Sequence, residues 1–276
     1  MNKIQILGTL IIFLLAVFIA PAQTNKTRLL VRSDDMASSH AANMSCIDVV
    51  KNGISRSIEI MVPCAWFFEA VQMLKQNPGI DVGVHLTVTS EWDGIKWGPI
   101  TASPSLMDWY GNFLATTGEW YNMTWNLDEV EAEYRKQIEM ALKEIPNVTH
   151  LSSHMGAPDV KPELKALVKK LASEYKLIYE TEGLTRLPDF GWNQAQSFQE
   201  KETAFIGMLG KLETGKTYLF VEHPANESEE MKAYGHLNME TVARDRNWVT
   251  QVFTSPKVIK AIQEKGIELI DYQDLK

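Results

Sequence analysis

The chain has 276 residues, with 27 basic against 35 acidic side chains, a formal net charge of −8 and an apolar share of 45%. That share is ordinary for a globular protein with a sizeable core, and an acidic balance lacks the basic footprint that nucleic-acid binding needs. No repeat, low-complexity tract or Gly/Ser linker marks a seam for a second domain.

The N-terminus opens on Met1-Asn2-Lys3, continues through an apolar run from Ile6 to Ala20 and ends on Ala20-Pro21-Ala22. A charged start, an apolar stretch and a small-x-small ending describe a secretory signal, and a membrane span would usually need about 20 apolar residues. Residues 1–22 are therefore expected to be a signal peptide that exports the protein to the periplasm or the extracellular space. An uncleaved signal is the one route to a membrane. Residues 23–276 have the size at which α/β barrels form a single domain.

Thr27–Ser33 is expected to be a strand and Ala41–Lys51 a helix, followed by a strand at Ser57–Val62 and a helix from Trp66 to Gln76. From Asp81 to Val88, Val82, Val84, Leu86 and Val88 alternate with Gly83, His85 and Thr87, a period-two signature. Leu127–Lys143 has apolar residues at helical spacing, and further strands fit Val148–Ser153, Leu177–Glu180, Thr217–Glu222 and Ile267–Ile270. This βα alternation of about seven strands predicts a parallel sheet covered by helices. Periodicity is equally compatible with an open sheet and with an irregular barrel.

The stretch Ser90–Asn126 breaks the alternation and carries Trp92, Trp97, Trp109, Trp120 and Trp125, five of the eight tryptophans. Long loops in compact domains are more often functional than incidental. For most of these tryptophans the expectation is a satellite core that pins the loop, with stacking on sugar rings as the alternative. Cys46 and Cys64 fit either a disulfide in an oxidising compartment or two buried thiols; they lack the spacing and extra ligands of a metal site.

Asp34 and Asp35 follow the first strand, His85 lies late in the third, and His154 and His223 follow the fourth and sixth. In parallel α/β folds active sites gather at the carboxyl ends of the strands, so residues far apart in sequence would meet at one mouth. One carboxylate with two imidazoles is a facial ligand set for a divalent cation with positions left open. A second carboxylate can take a proton from water, and a third imidazole can protonate a leaving group. His150 and His154 share a strand face with Ser152, so spacing leaves either one as the ligand. His40, at a helix start, and His236, in a loop, are read as solvated. Arg244 and Arg246 are read as a solvated helix face. With no phosphate-binding loop or arginine cluster at the strand ends, a phosphoester hydrolase is set aside.

Ser33-Asp34-Asp35, Val82-Gly83-Val84-His85-Leu86-Thr87 and Thr149-His150-Leu151-Ser152-Ser153-His154, in that order and spacing, resemble the YdjC-like carbohydrate deacetylase family. Ile60-Met61-Val62-Pro63, Pro104-Ser105-Leu106, Glu222-His223-Pro224 and Gly266-Ile267-Glu268-Leu269-Ile270 add to the likeness, which runs from about Thr27 to the C-terminus. The resemblance implies an irregular (β/α) barrel of the polysaccharide-deacetylase type and one bound divalent ion, Mg²⁺ or Zn²⁺. It implies removal of acetyl groups from an acetylated sugar or oligosaccharide. Carried over residue by residue, Asp34 is the general base, Asp35, His85 and His154 are the metal ligands, and His223 is the general acid. Two departures stand out: Ser152 occupies a position where the family has Asp, and Gly156 one where it has His. They support a rival expectation, a glycan-binding protein on the same fold with impaired catalysis, against which the intact Asp34-Asp35 pair argues.

Overall fold

A computed structural model describes residues 26–179, 184–191, 197–236, 239 and 241–275; the expected signal peptide lies outside them. The β-rich runs become β1 (Arg28–Met36), β2 (Ser57–Ile60), β3 (Asp81–Leu86), β4 (Val148–Ser153), β5 (Leu184–Arg186), β6 (Thr217–Glu222) and β7 (Glu268–Ile270). All their pairings are parallel. The order across the sheet is β4-β3-β2-β1-β6-β5, with β7 attached to β1. One edge of β1 is shared: β7 pairs with Arg28–Leu30, and β2 takes over from Arg32 onward.

The expected strand at Leu177–Glu180 is corrected, because within it only Ile178 joins the sheet, by a single bridge to His150. Lys176, left-handed at φ 58°, turns the chain out of the preceding helix just before that contact. Glu180 lies outside the described residues, and the fifth strand is the three-residue β5 on the far side of β6. Six Cα–Cα steps separate position 178 at one sheet edge from Leu184 at the other, a reach of at most about 20 Å. The sheet is accordingly curled into an irregular barrel.

Eight α-helices cover it: α1 (His40–Lys51), α2 (Phe67–Lys75), α3 (Thr117–Asn122), α4 (Leu127–Glu144), α5 (Pro162–Tyr175), α6 (Phe198–Leu209), α7 (Val242–Phe253) and α8 (Pro256–Glu264), among the described residues. Ser39, Thr116, Asn126, Ser197 and Ser255 cap five of them with side-chain oxygens, which satisfies backbone donors left over in the first turn.

Period two sorts each strand into an outer and an inner face. Ile58, Ile60, Val82, Val84 and Leu86 pack outward into a large core with α1, α2, α4 and α5. Leu29, Val31, Tyr218 and Phe220 pack outward against α6, α7 and α8. On the inner face, Leu30, Leu219, Val221, Ile270 and Tyr272 form a small apolar floor. Beyond it the inner positions turn polar yet stay buried: Arg32, Asp34, Glu59, His85, His150 and Ser152.

The tryptophan-rich segment is pinned by packing, as expected, but into the large core itself rather than into a satellite of its own, because its buried rings are continuous with the outward residues of β2 and β3. Trp92, Trp97 and Trp120 are buried, Trp125 stacks on Trp120, and the Trp97 indole donates to the Thr89 carbonyl at 2.7 Å. Trp109 is 94% exposed. Cys46 and Cys64 are separate buried thiols.

Candidate metal and catalytic site

Adjacent residues of a regular strand point to opposite faces, so Asp34 and Asp35 could not both face the barrel mouth from an undistorted β1. The pairing of β1 with β2 shifts register between Ser33 and Met36, and Asp35 and Ala37 have φ of 69° and 80°. Such left-handed conformations in non-glycine residues cost of order 1–3 kcal/mol each and cluster at functional sites. The result is two carboxylates on one side. Asp34 Oδ2 and Asp35 Oδ1 each lie 3.6 Å from His85 Nε2.

Asp34 is gripped by Arg32, two residues earlier on the same inner face, through Nε at 2.7 Å and Nη2 at 2.8 Å. Asp35 Oδ2 accepts from Arg246 Nη2 at 2.7 Å. Burial alone would raise the Asp35 pKa, but Arg246, His223 and His154 together hold it well below the usual carboxylate range. His154 follows β4, where Met155 and Gly156 turn the chain through left-handed φ values of 52° and 67°. Its Nδ1 is 3.3 Å from Asp35 Oδ1 and its Nε2 is 2.8 Å from Glu91 Oε2.

Asp35, His85 and His154, all buried, each offer a ligand atom, and these atoms lie within 4.8 Å of one another. The donor set passes a test of its own chemistry. A carboxylate cannot donate, so His154 directs Nε2–H at Glu91, and its Nδ1, when not protonated, turns a lone pair towards Asp35 Oδ1. That oxygen is buried with no hydrogen bond aligned on it. Only a cation, a proton or a metal ion, suits two facing lone pairs. Burial would lower the His154 pKa, yet the carboxylates of Glu91 and Asp35 push it up to about 10. Burial carries His85 the other way, to about 4, which keeps its imidazole neutral. The group can hold a divalent metal.

These side chains line a cavity of about 790 Å³, which also takes in Asp34, His223 and Arg246. The structure thus brings together Asp34, Asp35, His85, His154 and His223. Of His150 on β4 and His154 just after it, it is His154 that joins the group, while His150 sits within the barrel, stacked on Tyr272 with ring centroids 3.5 Å apart. His40 is exposed and contacts Glu69 at 2.8 Å. His236, expected in solvent, lines the cavity beside Trp92, its ring stacked at 5.9 Å.

Arg246 corrects the expectation of a solvated helix face, being 3% exposed with its guanidinium 5.4 Å over the Trp92 ring. Its helical spacing with Val242, Val249 and Phe253, all buried, was the available signal, and the charge obscured it. Arg32 and Glu59 carried a similar one, period two with Asp34 and Ser57. Glu91 had none, lying in irregular chain beyond β3.

A family profile described as YdjC-like protein matches residues 28–264. A carbohydrate deacetylase of Vibrio campbellii is 24% identical over 253 residues, covering 90% of this chain and 96% of that one. One from Thermoanaerobacter pseudethanolicus is 25% identical over 262 residues, covering 90% and 99%. A crystal structure from Enterococcus faecalis, described as a proposed cellobiose-phosphate cleavage protein, superposes with a TM-score of 0.74 at 25% identity, covering 91% of this chain and 99% of that one. The profile match contains every strand but β7 and all five converging site residues, and the chain belongs to the YdjC-like family.

Proposed function

We propose that the protein is a metal-dependent hydrolase that removes acetyl groups, from nitrogen or oxygen, of an acetylated oligosaccharide or glycan outside the cytoplasm. The observation that carries this reading is the buried convergence of Asp35, His85 and His154 beside the Arg32-held carboxylate of Asp34. The description of relatives as carbohydrate deacetylases over nearly their whole length supports the substrate class. Export rests on the N-terminal signal pattern alone.

Asp35, His85 and His154 are the residues that would hold the ion. A divalent cation there supplies Lewis acidity for the acyl carbonyl and makes a nearby water more acidic. Asp34 takes the proton of the attacking water. Its two bonds to Arg32 fix the carboxylate, so that little reorientation accompanies the transfer. Burial would lower the His223 pKa, but the charge of Asp35 and the Glu222 carboxylate, 3.8 Å from Nδ1, raise it above its ordinary value. A histidine that holds its proton more tightly than usual suits donation to the departing amine or alkoxide. Arg246 offsets the Asp35 charge where solvent cannot.

The test is acetate release from a panel of acetylated oligosaccharides, with added Zn²⁺ or Mg²⁺ and with chelator. Release that chelator abolishes and metal restores is expected. Turnover that survives thorough chelation would exclude the metal-dependent reading, and no release from any sugar would exclude the substrate class.

A further inference from the structure

Two inner-face residues that the proposed chemistry leaves unused sit behind His85. Glu59 on β2 is fully buried, and its carboxylate reaches across β3 to two residues of β4. One oxygen contacts His150 Nε2 and the other accepts from the Ser152 hydroxyl. Ser152 Oγ in turn lies 2.7 Å from His85 Nδ1. Burial would raise the Glu59 pKa, but His150 and Arg32 bring it down to about 2, so it is an ionised acceptor.

The proton count then runs in one direction. A serine hydroxyl has a single proton, and Ser152 gives it to Glu59. Towards His85 the same oxygen can only accept, so Nδ1 carries the imidazole proton. The lone pair is left on Nε2, the atom that faces Asp34 and Asp35. Space for the arrangement comes from Gly83 on β3, where a Cβ would lie 2.2 Å from Glu59 Oε2 and 2.3 Å from His150 Nε2.

We infer that Glu59, acting through the hydroxyl of Ser152, is a positioning residue for His85, fixing the tautomer and ring orientation in which Nε2 is the metal-binding atom. The inference rests on the metal centre proposed above. It explains how a serine beside the imidazole serves where a carboxylate would be the direct partner: the carboxylate stands one hydroxyl further away, on the neighbouring strand but one. Partners that orient a ligating histidine raise its basicity, and their loss costs about 10–100-fold in metal affinity.

The experiment measures Zn²⁺ affinity of the full chain by competition with a chromophoric chelator, with no substrate present. Ser152→Ala and Glu59→Gln are each expected to weaken Zn²⁺ binding about 10-fold or more. Since both break one relay, the double variant is expected to bind within about threefold of the weaker single, where independent contributions would multiply. Ser152→Asp in the Glu59→Gln background, which puts a carboxylate directly on Nδ1, is expected to recover most of the affinity. Long-range ¹⁵N–¹H spectra should show the Nδ1–H tautomer of His85 in the unaltered metal-free protein and its loss in Ser152→Ala, while near-UV circular dichroism checks that each variant is folded. Unchanged affinity in either single variant, or multiplicative losses, would overturn the relay and leave the metal centre standing. Failure of the unaltered chain to bind Zn²⁺ would overturn both.

Discussion

The two faces of the same sheet obey different physics. On β3, Val82, Val84 and Leu86 point out into the apolar core, while Gly83 and His85 alternate with them on the polar inner face. β1 does the same with Leu29 and Val31 outside and Arg32 and Asp34 inside. Outer-face burial is non-directional, worth roughly 25 cal/mol per Å², and it tolerates swaps that conserve volume. Inner-face groups need one partner each, with the proton on the right atom, and removing one member of a buried pair typically costs about 3–5 kcal/mol. Period two is what lets nine residues of β1 do both jobs, and a one-residue slip would exchange them.

The sharpest way to break that distinction is Asp34→Asn. The general-base assignment predicts a fall in acetate release of about 10²–10⁴-fold, with Zn²⁺ bound as before, since Asp35, His85 and His154 remain. Measured per folded molecule, a normal rate in this variant would remove Asp34 from the chemistry. On the outer face, Phe220→Ala is expected to do the reverse. Phe220 lies among the rings of Phe190, Phe205 and Phe253, so truncation should cost about 3–5 kcal/mol in denaturant unfolding and leave turnover of the folded fraction unchanged. A loss of turnover without a loss of stability would mean that the faces are not separable.

A third effect belongs to the inner face and is read against pH. Glu59 has its pKa brought down from an ordinary 4.5 to about 2. A depressed carboxylate contributes stability that is complete above 4.5 and is lost as the pH falls from there through about 2. Glu59→Gln should flatten this part of the acid limb of the unfolding profile. If the two profiles run parallel between pH 4.5 and 2, the Glu59 charge is not what the fold depends on there.

Much of this was legible in the sequence because strand period and strand ends are local signals. The bounds of β4 and β6, the convergence of Asp34, Asp35, His85, His154 and His223, and the burial of Trp92, Trp97 and Trp120 all follow from spacing and composition, although those rings join the large core rather than a satellite. What escaped is what depends on the third dimension. Arg246 is held in the core by one carboxylate and one indole face from elements far away in sequence. Glu59 owes its role to a space left by Gly83 on another strand. The strand expected at Leu177–Glu180 has apolar residues of the right kind, but a left-handed Lys176 brings only one of them onto β4.

The smallest expected effect lies on neither face. Lys75 on α2 and Glu144 at the end of α4 meet at 3.1 Å with side chains 42% and 28% exposed, whereas Arg32 and Asp34 meet at 2.7 Å with exposures of 10% and 4%. The chemistry is nearly the same and the surroundings differ. Exposed pairs return about 0.2–1 kcal/mol in double-mutant cycles, because water already solvates both charges and holding two long side chains together costs entropy. A cycle on Lys75→Met and Glu144→Gln should therefore give a coupling in that range, and it should largely vanish near 1 M salt, where the screening length is about 3 Å. The cycle on Arg32→Met and Asp34→Asn should keep most of its coupling in the same salt, since screening acts weakly on buried pairs. Equal couplings with equal salt dependence would show that burial does not separate the barrel interior from the surface, and that the inner face owes its sensitivity to geometry alone.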